Sequence, residues 1–190
     1  MDEISLYFSI GWQHIISVHA WDHILFVTAL AAMYVFKDWK KVLVLVTAFT
    51  IGHSLTLALS VYDVIRIPGN LVEFLIPVTI LVTAVFNLFR KDFSHQSLEL
   101  NYFFALFFGL IHGMGFANSI RFMLADSESI GIPLLSFNVG LEVGQIVIVT
   151  VILSLSFLFI TLLKMQRRTW IYLLSSIALV VSIKMIFERW

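Results

Sequence analysis

SVHAWDHILF, residues 17–26, begins an apolar stretch long enough to cross a bilayer, yet it carries His19, Asp22 and His23 within two helical turns. An Asp at the centre of a membrane helix costs about 2.5–3.5 kcal/mol on insertion scales, so such residues mark function by default. Whether this stretch is a span depends on the rest of the chain. Of its 190 residues 60% are apolar and 13% charged, and the mean hydropathy is +0.97, outside the range of soluble domains. The chain therefore reads as an all-α, polytopic membrane helical bundle, a single transmembrane domain over residues 1–190.

Apolar runs bounded by charged or turn residues fall at 14–36, 41–61, 70–90, 100–122, 133–163 and 169–188. Each is near or above the ~20 residues that a helix needs to cross the hydrocarbon, so six transmembrane helices are expected. An interfacial turn around Trp12 precedes the first. The fifth is long enough to tilt, to project, or to begin with a re-entrant piece before Gly140.

Basic residues follow the odd-numbered runs: Lys37, Lys40 and Lys41, then Arg90 and Lys91, then Lys164, Arg167 and Arg168. The other connectors hold Arg66 and Arg121 beside Asp63, Asp126 and Glu128. The positive-inside rule then places the odd connectors in the cytoplasm and both termini on the non-cytoplasmic side of the cell inner (plasma) membrane. Trp39 and Trp170 read as interfacial anchors of the cytoplasmic ends. The first residues, MDEISLYFSIG, lack a basic n-region and a small-residue cleavage site, so the first helix reads as retained.

A net charge of zero gives no basic face for nucleic acid. The absence of Cys excludes disulfides and thiolate metal sites, so any metal meets nitrogen and oxygen. No nucleophile elbow, phosphate loop or dinucleotide fingerprint is present, and HAWDH lacks the Glu of H-E-x-x-H.

With the orientation set, polar residues can be given depths. His14, His19, Asp22 and His23 fall early in an inward-running helix, and His53 and His112 past the middle of outward-running ones. Glu73 comes just after the third span begins, and Asn138, Glu142 and Gln145 early in the fifth. All lie in the outer half or near the midplane, which points to one shared site open to the non-cytoplasmic side. His14, His19, Asp22, His23, His53, Glu73, His112 and Glu142 are the candidate metal-binding residues. His19 and His23, one turn apart, share a helix face. Asp22 suits a supporting role, fixing a neighbouring imidazole's tautomer. His53 and His112 each adjoin a glycine, where helices approach closely, and interhelical packing is their plainer reading. Glu73 reads equally as an interfacial group, and His95, in a cytoplasmic connector, as a solvated one. Pro77 should bend the third helix or free a carbonyl near Glu73 or Phe74.

FTIGHSLTL and FNVGLEVGQ both carry Phe, two residues and then Gly, followed by an ionisable group, with His23 and His112 at similar distances upstream. Three helices being odd, such an echo would make the two halves an inverted three-helix repeat, a recurrent design among secondary transporters.

HIISVHAWDHILFV, VTAFTIGHSLTLALS, VEFLIPVTILVTAVFNL, FGLIHGMGFA and FNVGLEVGQ together resemble the HupE/UreJ family of membrane proteins, from about His14 to the end of the fifth run. That family is associated with hydrogenase and urease accessory functions, and its members are regarded as nickel or cobalt permeases. The resemblance implies that His14, Asp22, His23, His53, Glu73, His112 and Glu142 occupy the family's polar positions. The step from His14 to Asp22 is longer than in members linked to hydrogenase.

The function expected from these readings is uptake of a divalent metal ion, nickel, cobalt or zinc, through a His/carboxylate site in the outer half of the bundle. Ligating imidazoles must be neutral, so uptake should fail as pH falls toward about 6.5. No ATPase motif is present, so an ion gradient, the membrane potential or cytoplasmic trapping supplies the drive. The alternative is an intramembrane zinc-dependent hydrolase acting on a lipid or lipopeptide, with three His on the metal and Asp22 or Glu142 as general base. A metal-binding accessory subunit is the third reading. Partners on these readings are the metal ion, the lipid bilayer, a second copy of the chain and metalloenzyme maturation proteins, with no nucleic acid.

Overall fold

A computed structural model describes residues 2–17, 21–90, 98–123 and 130–190. Among the described residues seven α-helices follow one another: α1 (Glu3–Ile16), α2 (Trp21–Ala31), α3 (Trp39–Val61), α4 (Gly69–Phe89), α5 (Leu98–Met123), α6 (Gly131–Ser156) and α7 (Arg167–Glu188). A 3-10 turn, Phe36–Asp38, leads into α3, and a π-helical segment, Phe157–Leu162, continues α6. There is no strand among the described residues. Among the described residues four helical stretches are long and apolar enough to cross a membrane: Phe36–Val61, Gly69–Phe89, Gly131–Leu162 and Arg167–Glu188. The bent pair α1 and α2, whose axes differ by 67°, makes a fifth if counted as one span, while the apolar part of α5, Asn101–Ala117, is shorter.

The first span departs from the sequence reading. Instead of one helix from residue 14, α1 begins at Glu3, because the Asp2 side chain accepts from the Ser5 N–H at 3.0 Å and caps it. Trp12 therefore lies inside a helix. α6 runs unbroken from Gly131, with no re-entrant piece before Gly140. α3 ends in a Schellman arrangement: Val64 N–H bonds Leu59 C=O at 2.9 Å, Asp63 N–H bonds Ser60 C=O at 3.2 Å, and Asp63 takes the left-handed φ of 64°.

Contacts between helix ends fix the directions. The starts of α1, α4 and α6 meet the finishes of α3, α5 and α7 at one end. There Ser136 Oγ donates to Ile4 C=O at 2.7 Å, Tyr7 Oη to Met123 C=O at 3.1 Å, and Arg189 Nη1 to Glu73 C=O at 3.1 Å. Arg121 also bonds Ser60 C=O. At the other end Asn87 donates to Ala29 C=O at 2.7 Å, Asn101 to Tyr34 Oη at 2.8 Å, and Arg167 to Met33 C=O at 2.6 Å. Lys37, Lys40, Lys41, Arg90, Lys164, Arg167 and Arg168 sit at this second end, beside Asp38, so it is the basic end. Trp39 is exposed as an anchor would be, but Trp170 is buried beneath Phe159, ring centroids 5.6 Å apart.

Two helix crossings set the interior. In the pairing of α3 with α5, a Cβ on Gly52 would fall on the Leu106 carbonyl and one on Gly109 on the Phe49 carbonyl. In the pairing of α1 with α6, a Cβ on Gly11 would fall on the Phe137 carbonyl and one on Gly140 on the Phe8 carbonyl. Both pairs run parallel with glycine facing glycine, the close approach that small residues permit in membranes. The histidines lie between a larger apolar cluster toward the basic end, containing Phe26, Phe49 and Phe108, and a smaller one toward the other end, containing Ile15, Phe137 and Leu141.

Candidate metal centre

Four helices bring imidazoles to one place. His14 is in the last turn of α1, His23 in the first turn of α2, His53 beside the Gly52 crossing of α3, and His112 one turn beyond Gly109 on α5. The bend after α1 lets one helix finish and the next begin at the same point. Ring centroids are 4.7 Å apart for His14 and His23, 5.2 Å for His23 and His112, 6.1 Å for His14 and His53, and 6.4 Å for His23 and His53. One nitrogen from each of His14, His23 and His53 lies within 4.8 Å of the other two, a spacing from which three imidazoles can hold a metal ion. At about 1.5 Å per residue, His53 lies about 12 Å from the end of α3, His14 about 16 Å from the start of α1, and His112 about 16 Å from the end of α5. The cluster is thus deep within the bundle.

Hydrogen bonds select which nitrogens remain free. Asp22 Oδ1 lies 3.0 Å from His23 Nδ1 and accepts the His23 backbone N–H at 2.9 Å. His112 Nδ1 lies 2.8 Å from Phe108 C=O. With Nδ1 as the donor in each case, Nε2 becomes the ring's lone-pair nitrogen. The Nε2 atoms of His14, His23 and His112 and both nitrogens of His53 are buried with no hydrogen-bond partner in the protein. Buried polar atoms in that condition cost about 1–3 kcal/mol each, and a borderline transition-metal cation is what the converging nitrogens of His14, His23 and His53 suit.

Aromatic walls surround them. Phe116 lies 4.1 Å from His14 and 5.2 Å from Phe137, which stacks on His53 at 6.2 Å. Phe26 and Phe49 lie 5.3 and 5.1 Å from His112 and 5.0 Å from each other, and Phe108 is 5.7 Å from Phe26. These three buried rings close the cluster toward the basic end. On the other side a cavity of about 350 Å³ leads away from His14, Asp22, His23 and His112 between Ile76, Gly115 and Phe116 to Glu73 and Arg189.

The expected residues do not all meet there. His14, Asp22, His23, His53 and His112 do, and Glu73 lines the cavity toward its outer end. Glu142 is elsewhere: its Oε1 accepts from Thr47 Oγ1 at 2.8 Å between α6 and α3, and Gln145 similarly bonds Thr50 at 2.8 Å. His19 and His95 lie outside the described residues. The sequence reading passed over Arg189, which approaches Asp22 Oδ2 at 3.5 Å, and the aromatic walls. A lone basic residue after the last apolar run carries no signal that separates a cavity residue from an interfacial anchor.

The sequence model of the HupE / UreJ protein family matches residues 1–189, so the chain belongs to that family. No curated protein and no solved structure matches it.

Proposed function

Taking a HupE/UreJ protein with convergent buried imidazoles as the premise, we propose that it carries a divalent transition metal inward across the cell inner membrane, nickel or cobalt by family and zinc by ligand type. The observation that carries this reading is the set of unpartnered nitrogens of His14, His23 and His53 gathered within 4.8 Å of one another, with the His112 ring 5.2 Å from that of His23 and a cavity alongside. His14, His23 and His53 are the first ligands in this scheme and His112 the next. Asp22 holds His23 and balances charge, and Glu73 meets the ion on its way in. Conduction requires a site from which the ion can leave again.

In this scheme α1 with α2, and each of α3 to α7, cross the membrane, giving six spans with both termini outside. The gathering of Lys and Arg at one end supports that orientation. An inverted repeat relating α1 to α5, α3 to α6 and α4 to α7 is part of the same proposal. Its support is the equal spacing of the two crossings: Phe8 and Gly11 on α1 correspond to Leu106 and Gly109 on α5, and Phe49 and Gly52 on α3 to Phe137 and Gly140 on α6. On this pairing His14, and not His23, is the counterpart of His112, each three residues after its glycine.

The test is loading of proteoliposomes from outside with Ni²⁺, comparing native protein with His23→Ala. Lumenal accumulation by the native protein alone is the expected result. A second reading, a metal-dependent hydrolase, is favoured by the dead end that Phe26, Phe49 and Phe108 make behind the cluster. Metal retained on the protein without lumenal accumulation would turn the assignment to it, with Asp22 as the available base because Glu142 stands apart.

A further inference from the structure

The cavity's outer end is held by a cation that belongs to the chain. Arg189, just past α7, donates from Nη1 to Glu73 C=O at 3.1 Å and directs Nη2 toward Asp22 Oδ2 at 3.5 Å. Both acceptors have a reason to be available. Glu73 is four residues before Pro77, which has no N–H, so the Glu73 carbonyl lacks its helical donor within α4. Asp22 commits Oδ1 to His23 and leaves Oδ2 facing the cavity. Next to Arg189, the exposed Trp190 meets Phe74 of α4 edge-on at 5.3 Å. A guanidinium in the mouth of a cavity that leads to His14, His23 and His112 opposes any cation coming in.

We propose that Arg189 is a tethered cation occupying an oxygen-lined inlet, formed by the Glu73 carbonyl and carboxylate and by Asp22 Oδ2, from which a divalent ion must displace it to reach the histidines. Oxygen ligands suit a partly hydrated divalent ion, and its double charge competes for Asp22 where a monovalent ion does not. Displacement also links the inlet to the cluster, because Asp22 is the residue that holds His23. The inference rests on the reading of the cluster as the metal site and adds to it the group that controls access.

The test uses the full chain in detergent and Co²⁺ alone, followed by visible absorption in stopped flow. Arg189→Gln should speed Co²⁺ association on the order of tenfold at low salt with the amount bound unchanged, and the gain should shrink as salt screens the charge. Arg189→Lys keeps the charge and should stay close to the native rate. Pro77→Ala returns an N–H to the Glu73 carbonyl, loosens Arg189 and should shift the rate in the same direction by less. Because it leaves the charge in place, it serves as the second variant if Arg189→Gln folds poorly. An association rate in Arg189→Gln equal to or below the native one, or Arg189→Lys matching Arg189→Gln, overturns the inference alone. Native protein that binds no Co²⁺ overturns both the inference and the metal site. Faster binding in Arg189→Gln without lumenal accumulation by the native protein removes the transport reading and leaves the role of Arg189 standing.

Discussion

Asp22 Oδ1 stands 3.0 Å from His23 Nδ1, and the opposite nitrogen of that ring is buried without a partner. The carboxylate therefore fixes the tautomer of an imidazole whose other nitrogen faces the cluster, as outer partners of metal-bound His do elsewhere. Asp22→Asn preserves shape and removes the charge. It should weaken Ni²⁺ binding by about 10–100-fold, the usual cost of losing such a partner, while His23→Ala should remove binding at the cluster. Titration calorimetry on the purified chain measures both, and an Asp22→Asn affinity equal to the native one would deny the carboxylate this role.

Glu142 is bonded to Thr47 and not to any histidine. Glu142→Gln can keep that hydrogen bond, so it should alter metal affinity by no more than about 0.5 kcal/mol, the usual range for a substitution distant from the measured site. His53→Ala, by contrast, removes a ring with two unpartnered nitrogens from the triad. Equilibrium dialysis of the two variants side by side separates them. A large loss in Glu142→Gln would mean that the carboxylate reaches the metal.

These two residues also mark how far the chain could be read unaided. Apolar runs and the need to satisfy every backbone group in lipid make a helical bundle legible, and buried imidazoles at similar depths made the cluster legible. Azimuth was not: Leu141 is fully buried in the smaller apolar cluster, and one residue on, about 100° around the helix, Glu142 faces Thr47 instead. The early start of α1 was signalled by Asp2 and Glu3 ahead of an apolar turn, a capping pattern that a search for long apolar runs outweighs. Pro77 was legible as the source of a free carbonyl at Glu73, but its use by Arg189 required the distant end of the chain to be placed.

The glycine crossings allow no side chain. A Cβ at Gly52 or Gly140 meets backbone atoms of the facing helix, which cannot rotate aside, whereas at Gly131 it meets nothing within 4 Å. Gly52→Leu and Gly140→Leu should each cost about 1–3 kcal/mol or more by overpacking, and Gly131→Ala should be close to neutral. Thermal unfolding in detergent, followed by Trp fluorescence, gives the comparison.

Outside the membrane, Asp63 ties the end of α3 to that of α5. Its hydrogen bond from Arg66, with the nearby charges of Arg66 and Arg121, holds its carboxyl below the usual carboxylate range. A depressed carboxyl stabilises the fold above its unfolded pKa of about 3.9, and that contribution is lost as pH falls through the lower folded value. Asp63→Asn keeps a residue that tolerates the left-handed φ. It should be less stable than the native chain at neutral pH, with the difference closing below about pH 4. Unfolding midpoints across pH test the sign, and a difference that grows on acidification would contradict it.

Phe49 is one of the buried rings between the histidines and the basic end. It is buried, 5.0 Å from Phe26 and 5.1 Å from His112, and its carbonyl lies against Gly109 where α3 crosses α5. Phe49→Ala should cost about 3–5 kcal/mol of stability, as large-to-small changes in packed cores do. It should also leave space between His112 and the apolar cluster toward the basic end. If the three rings are the barrier that a transported ion must pass, passive Co²⁺ leak into proteoliposomes should rise in Phe49→Ala, and less so in Phe49→Leu, which refills most of the volume. A variant that is folded by its Trp fluorescence and binds Co²⁺ like the native chain, yet leaks no more, would place the barrier elsewhere. In a hydrolase the same substitution has no route to open, so lumenal Co²⁺ measured alongside bound Co²⁺ separates a gate from the closed floor of a catalytic pocket.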